Sequence, residues 1–263
     1  MAARGNKKFR KDKPTFNQIY REVEISLPVE TFTEDTNKGK LYLVSTPIGD
    51  YSDITIRALK VLNESDFIIC EDRKITSRLL RFFDIKKELK ILDEHNEAES
   101  AAGYAGEILS GKTVSLVSDC GTPVFADPGL RLVRECINFG IPMEFVHGAN
   151  SVISSIVTSG FDISRFYFYG FLSPKKEIRV KELTGISHLD HPVILMDTPY
   201  RLMTLLEDIS GIIPDREIFL AINLSTAKEK FFRGTTSEVI AGLKQHFGEE
   251  KPKAEFVLVI KHM

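Results

Sequence analysis

Three features of the sequence predict an α/β protein of two domains. Short apolar runs rich in β-branched residues, such as Val114–Val117 and Phe67–Cys70, break off abruptly into turn formers or charges. Segments with apolar residues at helical spacing follow them, as in Thr55–Asn63, and this alternation suits sheets covered by helices. The pattern then restarts after His147-Gly148-Ala149-Asn150-Ser151, which reads as a hinge. The expected division is a basic extension at 1–39, a first domain at 40–147 and a second at 148–263.

With 263 residues, 43% of them hydrophobic, the chain has enough apolar surface for real cores. A net charge of -2 excludes a general basic coat, so any nucleic-acid contact must be local. The obvious patch is Arg4, Lys7, Lys8, Arg10, Lys11 and Lys13, which is either a phosphate-binding arm or a solvated tail. No apolar run reaches the roughly 20 residues of a membrane span, and the start lacks the apolar core of a signal peptide. A cytoplasmic protein without membrane contact is expected. Cys70, Cys120 and Cys136 are an odd number at wide spacings, which indicates neither a disulfide framework nor a zinc site.

Taken in order, Thr15–Val23 suits a short helix. Leu41–Val44 is the first strand, with Ser45–Asp50 as its exit loop and a helix over Thr55–Asn63 that Asp53 is placed to cap. Strand Phe67–Cys70 runs into Glu71-Asp72-Arg73-Lys74 and a helix over Ile75–Phe83. Ile91-Leu92 leads to Asp93-Glu94-His95-Asn96-Glu97, then to a helix through Ile108 that Gly111 stops. Val114–Val117 empties into a loop with two carboxylates, Asp119 and Asp127. The loop is either a ligand site at a strand's carboxyl end or a plain turn in which Asp127-Pro128 caps the next helix. That helix, Leu130–Phe139, ends at Gly140, and strand Ile141–Val146 carries Pro142, which suits an edge.

The second half opens with a helix over Ser151–Ser159 and an aromatic strand over Phe166–Phe171, whose rings suit a core or a base-stacking face. A short basic helix at Arg179–Leu183 follows, then strand Val193–Met196, Asp197-Thr198-Pro199-Tyr200-Arg201 and a helix over Leu202–Ile209. Strand Glu217–Asn223, a helix over Ser237–Phe247 preceded by Phe231–Gly234, and strand Glu255–Ile260 complete the reading.

Read together, these loops stand in a familiar order: Ser45-Thr46-Pro47-Ile48-Gly49-Asp50, Glu71-Asp72, His95-Asn96-Glu97, Ser118-Asp119 with Gly121-Thr122-Pro123 and Asp127-Pro128-Gly129, Pro199 with Arg201, and Arg233-Gly234-Thr235. The order resembles the ribosomal RNA small subunit methyltransferase I family of the tetrapyrrole methylase superfamily over about Lys40–Ile260. The resemblance implies two α/β domains of the tetrapyrrole methylase type, S-adenosylmethionine in the cleft between them, a homodimer, and methylation of a cytidine 2′-hydroxyl in small-subunit rRNA. By position it assigns Pro47, Ser118, Asp119, Cys120, Gly121 and Val124 of the first domain to the cofactor, with Ser151, Met196, Leu224, Gly234 and Thr235 of the second.

A ribose hydroxyl needs help in losing its proton, and Glu71, Asp72 and His95 at strand ends are the candidates; helix capping and loop hydrogen bonding are their structural alternatives. Arg73, Lys74, Lys175, Lys176 and Arg201 are the candidates for RNA phosphates. The chain departs from the family where Ala-Glu-Asp-Thr-Arg has become Cys70-Glu71-Asp72-Arg73-Lys74 and Glu-Ser-Pro-His-Arg has become Asp197-Thr198-Pro199-Tyr200-Arg201. It also ends just after its last expected strand, where many members continue. Two other readings stay open: methyl transfer to a tetrapyrrole or another small molecule, and a non-catalytic cofactor-binding protein of the ribosome.

Overall fold

The computed structural model describes residues 39–248 and 252–262, which form two compact units. The basic arm and the helix expected over Thr15–Val23 lie outside the described residues. Among the described residues, unit 1 holds 39–46 and 54–148, and unit 2 holds 47–53, 149–248 and 252–262.

Unit 1 runs β1 (Lys40–Val44), α1 (Ile56–Glu64), β2 (Phe67–Cys70), α2 (Arg73–Phe82), β3 (Glu88–Ile91), α3 (Glu97–Leu109), β4 (Thr113–Leu116), α4 (Leu130–Asn138) and β5 (Met143–Val146). Its five strands are all parallel, in the order β3-β2-β4-β1-β5. Side chains alternate across a strand, so Leu41, Phe67, Ile69, Val114 and Leu116 point to one face, where Ala101, Ala105 and Ile108 of α3 and Leu132 and Cys136 of α4 cover them. β5, just after Pro142, is an edge strand as its proline suggests.

The helix starts differ from expectation in an instructive way. Thr55, not Asp53, caps α1, accepting from the Ala58 N–H at 3.1 Å. Asp72 caps α2, accepting from the Lys74 N–H at 2.6 Å, so that helix starts two residues before Ile75. Asp127 does not cap α4. Glu97 Oε1 does so from a distance in sequence, accepting from the N–H groups of Gly129 at 3.0 Å and Arg131 at 2.8 Å. Gly129 sits at φ 128°, and a Cβ there would lie 2.7 Å from Leu116 Cδ2, so both backbone and space require glycine.

Unit 2 runs α5 (Ser151–Ser159), β6 (Tyr167–Phe171), α6 (Lys176–Ser187), β7 (Val193–Asp197), a 3-10 turn (Pro199–Arg201), α7 (Leu202–Ile212), β8 (Glu217–Ile222), β9 (Lys230–Thr235), α8 (Thr236–Phe247) and β10 (Phe256–Ile260). The sheet order is β6-β7-β10-β8-β9. β6 and β7 are parallel, while β10 runs against both β7 and β8, and β9 runs against β8. Alternation again sorts the core: Ile218, Leu220, Ile222, Phe256, Leu258 and Ile260 face α6, α7 and α8, whereas Phe219, Ala221, Val257 and Val259 face α5.

Two sequence expectations change here. Phe231–Gly234 is part of the strand β9, and α6 extends well beyond Arg179–Leu183 at both ends. Within α6, Arg179 is buried rather than basic surface: its guanidinium pairs with Asp208 of α7 at 2.7 Å and donates to the carbonyls of Ser173 and Pro174. The segment Pro47–Asp53 packs within unit 2. A Cβ on Gly49 would come within 2.6 Å of the Leu224 carbonyl oxygen, and the Ser225 hydroxyl donates to Asp53. Among the described residues no helix is long and apolar enough to cross a membrane.

Candidate functional site

Because every strand of unit 1 is parallel, their carboxyl ends open on one edge, where α/β sheets bind ligands. Hydrogen bonds tie the exits into one surface. Asp119, past β4, accepts from the Asp72 N–H past β2 at 3.0 Å. Thr46, past β1, exchanges backbone bonds with Gly121 at 2.8 and 3.1 Å, and its buried hydroxyl donates to the Ser118 carbonyl at 3.3 Å. Past β3, Asp93 accepts from the N–H groups of His95 and Asn96, both at 3.0 Å, which turns the chain into α3 and sets Glu97 on the start of α4. Val124, in the same loop, holds φ 69°, a left-handed conformation that is costly for a β-branched residue and points to a loop shaped for use.

The edge is electrostatically uncompensated. Burial pushes Glu71 up to about 7, with Asp119, Asp127, Glu94 and Asp72 adding repulsion. Asp119 and Asp127 are also raised, each chiefly by burial, opposed for Asp119 by the Asp72 N–H and for Asp127 by the Ser118 hydroxyl. Such a cluster favours a cationic ligand and keeps one carboxyl poised to exchange a proton near neutral pH. Asp72 is engaged as a cap, and the His95 side chain is 84% exposed, with Nε2 3.5 Å from Glu94.

The fold thus gathers Glu71, Asp72, Ser118, Asp119, Cys120, Gly121 and Val124 on one edge of unit 1. Arg73 and Lys74, exposed in the first turn of α2, adjoin them. Pro47 belongs to unit 2. There, Met196 of β7 and Leu224 past β8 both pack against the α5-facing core, and Ser151 opens α5.

Gly234 and Thr235 stand apart from Leu224. β9 runs against β8, so Thr235 pairs with Glu217 while Lys230 pairs with Ile222, and Thr235 serves as the cap of α8 through a reciprocal bond with Glu238. Lys175 and Lys176 are exposed at the start of α6. Arg201, by contrast, is engaged within unit 2, donating to the carbonyls of Leu172 and Ser173 and pairing with Asp197 at 3.2 Å. Sequence reading missed the Arg179–Asp208 pair and the role of Glu97, since each acts on residues about 30 positions away.

Comparison with known proteins agrees with this architecture. The family model of the tetrapyrrole (corrin/porphyrin) methylases matches residues 40–240. A ribosomal RNA small subunit methyltransferase I of Thermotoga maritima is 40% identical over 222 residues, covering 84% of this chain and 98% of its own. A protein of the same name from Halalkalibacterium halodurans is 34% identical over 233 residues, covering 88% of this chain and 79% of its own. In fold, the chain resembles the crystal structure of uroporphyrin-III-C-methyltransferase from Thermus thermophilus, with TM-score 0.59 and 20% identity over 85% of this chain and 94% of that one. With a methylase domain spanning most of its length and a 40% identical relative matched nearly end to end, the chain belongs to the ribosomal RNA small subunit methyltransferase I family of the tetrapyrrole methylases.

Proposed function

We propose that the protein is an S-adenosylmethionine-dependent methyltransferase whose acceptor is the 2′-hydroxyl of a cytidine in small-subunit rRNA. The observation that carries this reading is the 40% identity to the Thermotoga maritima relative over 98% of that protein's length. S-adenosylmethionine supplies, when bound, an electrophilic methyl group on a sulfonium.

The unit 1 edge suits such a cofactor, because its carboxylates complement a sulfonium and an ammonium and no phosphate cradle is needed. Asp119 and Gly121 fix the loop that receives it, with Ser118, Cys120 and Val124 beside them, and Pro47, Ser151, Met196 and Leu224 are its contacts in unit 2. Glu71 is the general base: with a pKa of about 7 it is partly ionised at neutral pH and accepts the proton that the ribose hydroxyl gives up. Asp72 orients the turn, and His95 shapes the rim. Arg73, Lys74, Lys175 and Lys176 hold RNA phosphates, while Arg201 positions the loop that carries the last two. The protein works in the cytoplasm, as a homodimer.

The test is methyl transfer from labelled S-adenosylmethionine to small ribosomal subunits from cells lacking the protein, with nuclease mapping of the label. Label on one ribose 2′ oxygen is expected. Absence of label, with cofactor binding intact by calorimetry, refutes the rRNA reading.

A further inference from the structure

Unit 2 has a second feature, which meets the proposed cofactor contacts only at Leu224. In its sheet β6, β7 and β8 share one direction while β9 and β10 oppose it, and Phe256 pairs with both Asp197 and Ile222. The residues after 197, after 222 and before 256 therefore meet at one edge. With Ile48 they line an open hollow of about 420 Å³, in which apolar Ile48, Pro199 and Leu224 stand beside polar Asn223 and Glu255.

One wall of the hollow is Tyr200, 78% exposed, and the Lys253 ammonium stands 5.5 Å from its ring centroid. The turn that carries the ring is held in place. It is a 3-10 turn anchored by Arg201, whose guanidinium donates to Leu172 and Ser173 and pairs with Asp197. The loop around Asn223 is also held, by the Asn223 N–H on the Glu255 carbonyl and by Ser225, which bonds both Asp53 and Glu229.

We propose that Tyr200 and Lys253 form a nucleotide-docking platform for a single-stranded stretch of the RNA substrate, the ring stacking on a base and the ammonium meeting the adjoining phosphate. This rests on the rRNA reading above. An exposed, pre-positioned aromatic face beside a cation is what single-strand recognition requires, and every base offers a π-face to it. The same edge carries more positive charge: Lys175 and Lys176 follow β6, and Lys228 and Lys230 lie at the turn from β8 into β9. Asp53 and Glu229 are engaged with Ser225, while Glu255 leaves one exposed carboxylate in the lining. A strand laid across the edge would meet cations on both sides of the ring, as a phosphate backbone needs.

The chain contains no tryptophan, which gives the test a clean optical signal. In Y200W the introduced indole is the sole tryptophan emitter, and titration with oligoribocytidylate quenches it to saturation while S-adenosylmethionine alone does not. For methylation of small subunits, Y200A raises KM for the subunit about tenfold and leaves KM for S-adenosylmethionine in place, whereas Y200F, which keeps the ring, stays near the parent. K253A weakens oligoribocytidylate binding and lowers the slope of log affinity against log salt by about 1. Quenching by S-adenosylmethionine instead, with its KM raised, would assign the hollow to the cofactor's adenine and overturn the proposal. An unquenched Y200W with an unchanged subunit KM in Y200A would overturn it too. The optical arm needs no turnover, so it separates failure of this platform from failure of the rRNA assignment.

Discussion

The two units treat buried charge in opposite ways. In unit 2 the side chains of Arg179 and Asp208 are 5% and 9% exposed and face each other at 2.7 Å, with two loop carbonyls taking further guanidinium donors. In unit 1 Glu71, Asp119 and Asp127 crowd one sheet edge, and their shifts are all upward, from burial and mutual repulsion. A compensated charge fixes structure, because removing either partner strands the other. An uncompensated cluster leaves free energy to be recovered by a cationic ligand or by a proton. The difference teaches which carboxylates to test for chemistry and which for stability.

Four substitutions break or sharpen this contrast. Glu71→Gln removes the proposed base, with an expected fall in kcat of about 10²–10⁴-fold and loss of the rise in rate through pH 7. An unaltered pH–rate profile would take the base role away from Glu71. The stability effect has its own sign: the carboxyl titrates at about 7 when folded against 4.5 ordinarily, so the folded state holds the extra proton between those values. Its contribution is present below pH 4.5 and is lost as pH rises through 7, and the variant flattens that part of a melting-temperature profile.

Arg179→Ala should instead destabilise by about 3–5 kcal/mol, read as a lower denaturant midpoint, with the pH–rate profile of the surviving enzyme unchanged. A parent-like midpoint would end the contrast. Gly129→Ala forces a side chain into φ 128° and against Leu116, for an expected loss of about 1–3 kcal/mol, measured in the same way. Thr55→Ala removes the cap of α1 for about 1 kcal/mol, and should leave cofactor binding by calorimetry untouched.

How much of this was legible in the sequence depended on range. The strands Phe67–Cys70 and Glu217–Ile222 and the helix Ser151–Ser159 could be read locally, because burial on both faces or helical period sits in consecutive residues. β9 was missed as a strand: its residues KFFRGT alternate poorly, and among the described residues β8 alone pairs with it at the sheet's edge. The edge loops of unit 1 were legible as motifs, since a parallel sheet returns each exit to the same side. The Asp119 bond to Asp72 and the capping by Glu97 were not, for they join loops that only the strand order brings together. Lys253 gave no local signal either, because its place beside Tyr200 depends on β10 running against β7.

The passage of Pro47–Asp53 into unit 2 bears on how such a protein can be cut or recombined. Neither unit is one uninterrupted length of chain. A gene fragment beginning at Ala149 would encode the whole of the unit 2 sheet yet lack the Gly49 backbone that packs on Leu224 and the carboxylate that receives Ser225. Swapping the second half between homologues therefore exchanges only one side of that contact, so a working chimaera has to carry the seven residues after Thr46 along with it.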